Sequence, residues 1–188
     1  VWLEDGSLLR VGEAEMIDFA LHVGMELPDE VADRLLAAAN AGQLRDKALN
    51  MLTTRPMSRK ELTDKLLTRG ATLAQAAEIA DWLERLGLLN DAEYAKTVVR
   101  HYSEKGYGPY KVKDELYRRG LSRDLWEDAL CESKDPAEAI DVFLRQKLKG
   151  EAPEQKSLKR VSDALARRGY RWSDISAGLR RYGADVEE

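Results

Sequence analysis

The chain has 188 residues, of which 44% are hydrophobic, 34% charged and only 7% aromatic, and its net charge is −4. That balance suits helices with broad solvated faces and excludes an aromatic-rich β-sandwich. The acidic total argues against indiscriminate nucleic-acid binding by the whole chain. The charge is uneven, however: residues 1–43 hold two basic and nine acidic side chains, whereas residues 136–183 hold eleven basic and six acidic. Such asymmetry points to a charged partner at one end. A single cysteine, Cys131, rules out an internal disulfide and suits a reducing compartment. The longest apolar run, Leu35 to Ala39, is far too short for a membrane span, and no signal-type segment opens the sequence. A soluble, cytoplasmic, monomeric protein is expected.

Trp2 to Val11 reads as a small β-hairpin turning at Asp5-Gly6. Glu13 to Leu21 reads as a helix with Met16, Ile17, Ala20 and Leu21 inward, ended by Gly24. Pro28-Asp29 opens a second helix to about Asn40 through Val31, Leu35 and Leu36. A new helix then begins near Gln43, with Leu44, Ala48, Met51 and Leu52 as its stripe. Ser58 with Glu61, and Thr72 with Gln75, have capping-box spacing and mark two further helix starts. The second of these runs through Ile79, Trp82, Leu83 and Leu86 to a stop at Gly87.

Asn90 and Glu93 open the next helix, which turns Tyr94, Val98 and Tyr102 inward. Gly106-Tyr107-Gly108-Pro109 is a turn into another, and a short helix from Ser122 carries Leu125, Trp126 and Ala129. Asp135-Pro136 starts a helix lined by Ile140, Leu144 and Leu148, Gly150 and Pro153 bracket a turn, and Trp172, Ile175 and Leu179 mark the last helix.

One sentence recurs three times along this path. Aligned on Gly70, Gly120 and Gly169, which stand 50 and 49 residues apart, the apolar residues Leu62, Val112 and Val161 coincide, as do Leu66, Leu116 and Leu165. Asp64, Asp114 and Asp163 also fall in register, and so do Arg69, Arg119 and Arg168. The glycine suits the left-handed residue that ends a helix in a Schellman stop, which brings Leu66, Leu116 and Leu165 against Ala71, Leu121 and Tyr170. The expected architecture is all-α. An N-terminal hairpin with two helices (1–42) precedes three tandem three-helix repeats over residues 43–90, 91–134 and 135–188.

A catalytic reading finds little support. His22 and His101 lie on separate helices, and neither has metal-ligand spacing to Cys131, which reads as a small core residue. Gly106-x-Gly108 lacks the spacing of a phosphate loop and follows a helix, so it is a turn. Trp82, Trp126 and Trp172 sit at apolar helical positions and read as core. No metal or cofactor is expected.

Binding fares better, because stacked helical repeats present extended surfaces to long partners. Basic side chains gather on the three matching helices. They are Lys65 and Arg69 on the first; Lys111, Lys113, Arg118 and Arg119 on the second; and Lys159, Arg160, Arg167 and Arg168 on the third. Lys156, Arg171, Arg180 and Arg181 make the last repeat the densest. Two readings compete: a solvated face whose arginines answer the helix dipole, or a contact surface for an acidic groove or for phosphates.

The ordered motifs Ser58-Arg59-x-Glu61-Leu62-x-x-Lys65-Leu66, Leu86-Gly87-Leu88-Leu89-Asn90-Asp91-x-x-Tyr94-Ala95 and Gly108-Pro109-x-x-Val112-x-x-Glu115-Leu116-x-x-Arg119-Gly120 resemble those of the RecX family, regulators of the RecA recombinase. The match is strong over about residues 44–132 and looser beyond. The resemblance implies a curved, elongated array of three-helix modules that lies in the groove of a RecA–single-stranded DNA filament. It further implies lowered filament ATP hydrolysis and strand exchange, no catalysis by the chain itself, and independent DNA binding as a second mode.

Overall fold

The computed structural model describes residues 1–2, 6, 8–148 and 154–183. Among them the chain is all-helical, with ten α-helices and no strand. It divides into two compact units, Val1–Leu89 and Asn90–Glu188.

In place of hairpin strands, the first unit opens with a single antiparallel bridge between Trp2 and Leu8. The Val1 amino group donates to the Leu9 carbonyl at 2.9 Å. Asp5, where the sequence suggests the turn, lies outside the described residues. Helix α1 (Glu13–Asp18) is shorter than its pattern predicts, and Met16 and Ile17 point outward, 47% and 78% exposed. The chain leaves the helix at Phe19, and Ala20 takes a positive φ of 46°. Phe19 and Leu21 thereby close on Leu35 and Ala39, together with Leu9, Val11 and Leu27.

Helix α2 (Asp29–Thr54) is continuous through the expected break near Asn40, and Leu36 is 37% exposed. One glycine inside a helix costs about 1 kcal/mol relative to alanine, which the run Ala37, Ala38, Ala39 and Ala41 offsets. The second half of α2 packs with α3 (Arg59–Leu67) and α4 (Leu73–Arg85) around Ala48, Leu62, Leu66, Ile79 and Leu83. Both capping boxes form: the Glu61 N–H donates to Ser58 Oγ at 3.0 Å, and the Gln75 N–H to Thr72 Oγ1 at 3.2 Å. Arg59 ties α3 to α4 through Asp81 at 2.5 Å and Glu84 at 2.6 Å.

In the second unit α5 (Asp91–Glu104), α6 (Pro109–Arg118) and α7 (Trp126–Leu130, after a 3₁₀ turn at Arg123–Leu125) enclose Ala95, Val99, Val112, Leu116 and Ala129. Helices α8 (Pro136–Leu148), α9 (Gln155–Arg167) and α10 (Trp172–Arg181) enclose Ile140, Leu144, Val161, Leu165, Ile175 and Leu179. Trp172, expected in the core, is 56% exposed because it opens α10 on the outside while Ile175 and Leu179 face in.

The glycine stops form as the sequence predicts. After α6 the Leu121 N–H donates to the Leu116 carbonyl at 3.1 Å and the Gly120 N–H to Tyr117 at 2.9 Å, with Gly120 at φ 69°. The same pair of bonds closes α9, where Tyr170 reaches Leu165 at 3.3 Å and Gly169 reaches Ala166 at 2.9 Å.

The end of α9 also meets the start of α6. The Gly108 N–H donates to the Arg168 carbonyl at 2.8 Å, and the Tyr110 N–H donates to the Gly169 carbonyl at 3.1 Å. Donors left over at one helix N-terminus thus satisfy acceptors left over at another's C-terminus.

Candidate interaction surface

Helix α9 sorts its residues by face. Val161, Ser162 and Leu165 are buried, and the Ser162 hydroxyl donates a hydrogen bond to the Leu158 carbonyl at 2.8 Å. On the opposite face Lys156, Lys159, Arg160, Asp163 and Arg167 are all exposed. At 3.6 residues per turn these positions fall within an arc of about 100°, along about 16 Å of helix. The stripe therefore carries four cations against one carboxylate, and none of the four cations makes an ion pair with another described residue.

Helix α6 treats its cations differently. Lys111 pairs with Asp114 at 3.3 Å and Glu115 at 3.6 Å, and Arg118 with the same two carboxylates at 3.0 and 3.6 Å. Arg119 turns inward, donates to the Tyr94 hydroxyl at 2.5 Å and lies 5.7 Å from that ring's centroid. Lys113 is half-buried, on the side of α6 that carries Tyr110 and Tyr117. The sequence counted Lys111, Arg118 and Arg119 with the basic surface; their charges are answered within the unit. On α3, Lys65 is half-buried, while Arg69 is exposed and bends back to the Lys65 carbonyl at 3.4 Å, as a cation at a helix C-terminus does.

Two more candidates near α9 are engaged. Arg171 lies over the Tyr110 ring at 5.3 Å. Arg168 is half-buried: its Nη1 donates to the Lys105 carbonyl at 3.2 Å and the Gly106 carbonyl at 3.1 Å, and its guanidinium sits 4.8 Å from the Phe143 centroid. Its distance to the Tyr107 centroid is 5.9 Å. The helix end that Arg168 answers is that of α5, in addition to its own.

Sequence reasoning overlooked the outward aromatics of α6. Tyr110 and Tyr117 are 55% and 66% exposed and seven residues apart, opposite the buried pair Val112 and Leu116. The signal was present in that spacing. Among the described residues no cluster of acidic, histidine or cysteine side chains could hold a metal ion, and no helix is long and apolar enough to cross a membrane.

Two family models match the chain: the first three-helix domain of RecX over residues 45–86, and the second over residues 90–130. The Regulatory protein RecX of Pseudomonas putida is 37% identical over 115 residues, covering 61% of this chain and 81% of that one. The chain belongs to the RecX family. The Xanthomonas citri RecX is 35% identical over 136 residues, which is 71% of this chain and 84% of that protein. Among solved structures, RecX from Lactobacillus salivarius superposes with a TM-score of 0.68 at 24% identity, covering 78% of this chain and 98% of that one. A second RecX regulatory protein gives a TM-score of 0.72 at 21% identity, over 90% and 86% of the two chains. The fold is therefore shared with RecX proteins across this range. The α9 stripe lies beyond the residues that either family model matches.

Proposed function

We propose that this RecX-family chain is a non-catalytic regulator that docks on the RecA–single-stranded DNA filament, along its groove, and lowers filament ATP hydrolysis, strand exchange and extension. The observation that carries the reading is the α9 stripe, four exposed cations along one helix face with no ion pair among the described residues. Salt-bridged cations such as Lys111 and Arg118 have their field answered locally, whereas the α9 cations keep theirs for a partner. The RecA side of the proposal comes from the resemblance to a family of RecA regulators; the relatives themselves are named regulatory protein RecX.

The same reading takes residues 43–90, 91–134 and 135–188 as three tandem modules, the first sharing helix α2 with the extension at 1–42. A curved, elongated array of such modules would fit a helical groove lengthwise. It also takes the protein as a cytoplasmic monomer with no cofactor.

The second reading, direct DNA binding, rests on the same stripe. Co-sedimentation separates the two. Groove docking requires RecA, single-stranded DNA and nucleotide together in the pellet. Direct binding pulls the chain down with DNA alone, and four phosphate contacts give a log–log salt slope of about −3 on single strands. Association with naked DNA at full strength, unchanged by RecA, would overturn the filament reading.

A further inference from the structure

We propose that Arg168 is a positioning residue for filament docking: it holds the α9 stripe in fixed register with α5 and α6, and does not touch the partner itself. The proposal rests on the groove-docking reading above. Three observations support it. The guanidinium is half-buried, donates to the Lys105 and Gly106 carbonyls at 3.2 and 3.1 Å, and stacks on Phe143. It thus ties the loop after α9 to the negative pole of α5 and to α8, by hydrogen bonding and ring contact together. Its own carbonyl accepts from the Gly108 N–H at 2.8 Å, which joins α9 to α6.

The third observation is the joint's tolerance. A Cβ added to Gly108 would stand 2.5 Å from the Gly169 carbonyl oxygen, and one added to Gly169 would stand 2.5 Å from the Lys111 nitrogen. These are backbone atoms that cannot swing aside. Gly108 has φ −80° and ψ 170°, a conformation open to alanine, so only the joint excludes a side chain there. Arg167, the last cation of the stripe, is the residue before Arg168, so any play in the joint displaces the stripe directly.

The test uses the full chain. Cys131, the sole cysteine, is exposed and not in the core where its residue type suggests it, and Ala166→Cys adds a second exposed label site on α9. Spin-label distances between them, measured without filament, report the register of α7 against α9. Filament affinity is measured on unlabelled Arg168→Ala, Arg168→Lys and Gly108→Ala variants. A positioning role predicts that all three broaden or shift the distance and lose affinity several-fold while keeping helicity. Gly108→Ala changes no charge, and lysine, which lacks the planar guanidinium, cannot restore the stacking on Phe143.

Full affinity in Arg168→Lys, or unchanged distance and affinity in Gly108→Ala, would make Arg168 a plain charge contact. Unchanged distances in variants of a chain that does co-sediment would sink the positioning role alone. Failure of the unaltered chain to co-sediment would sink the docking reading, and with it any docking role for Arg168.

Discussion

Arg181 on α10 grips Asp141 on α8 as a bidentate pair, with Nη2 2.7 Å from Oδ1 and Nε 3.1 Å from Oδ2. The hydrogen-bonded Asp141 carboxylate raises the arginine above its ordinary value, with burial opposing. Sequence pattern placed Arg181 in the dense basic cluster of the last repeat, yet its charge faces Asp141. The two side chains are 43% and 35% exposed, which limits the pair to about 1 kcal/mol or less. Arg181→Ala should lower stability by that small amount in urea melts and leave filament association unchanged. A large loss of association in a stable variant would return Arg181 to the contact surface.

Gly178, on the same helix, tests how tightly α8 and α10 approach. A Cβ there would meet Ile140 Cγ2 at 2.5 Å, and Ile140 is completely buried. Alanine in a helix interior gains about 1 kcal/mol over glycine, whereas overpacking costs about 1–3 kcal/mol. With Ile140 hemmed in by Leu144 and Leu179, overpacking should win, and Gly178→Ala should melt lower. A raised midpoint would mean that Ile140 changes rotamer freely.

At the stop of α6, Gly120→Val places a β-branched side chain at φ 69°. The strain costs on the order of 1–2 kcal/mol or more. The bonds from Leu121 to Leu116 and from Gly120 to Tyr117 require that conformation, so the melting midpoint should fall. An unchanged midpoint would show that the chain leaves the helix by another route.

What the sequence made legible was local chemistry. Ser58 with Glu61, Thr72 with Gln75, Pro109 at a first helical position and the glycines after α3, α6 and α9 each act within one turn of helix, so residue type alone specifies them. Properties decided by packing across elements were not legible. Gly42 resembles a boundary, but it lies inside α2, where the Glu15 carboxylate packs against it and an added Cβ would stand 2.9 Å from Oε1. Arg168 looks the same as Arg119 and Arg69 in the repeat, yet its partners are carbonyls 62 and 63 residues away. Spacing along one helix carries no information about such partners.

Tyr170 connects packing to pH. Burial between α9 and α10 raises its phenol above the ordinary 10.0, and the nearby Arg168 charge only partly opposes this. The folded value exceeds the unfolded one, so the stability it supports is complete below about pH 10 and is lost as pH rises through the folded value. Unfolding free energy measured against pH should therefore decline above 10, and Tyr170→Phe should flatten that decline. An identical alkaline slope in the phenylalanine variant would assign it to other groups.

The α9 stripe makes the most direct prediction about function. Lys159→Glu, Arg160→Glu and Arg167→Glu together reverse three of its four cations, and none of the three contributes to the core or to an ion pair among the described residues. Arg168 is left intact, because replacing it would loosen the joint with α5 and confuse a structural loss with a lost contact. Exposed substitutions of this kind usually change stability by about 0.5 kcal/mol or less, so the melting curve should be preserved. Filament association and inhibition of RecA ATP hydrolysis should weaken markedly. The salt dependence of whatever binding remains should flatten, since fewer charges are neutralised at the interface. A stable triple variant that inhibits at unchanged potency would move the docking surface off α9. The outward face of α6, with Tyr110, Lys113 and Tyr117, would be the next to alter.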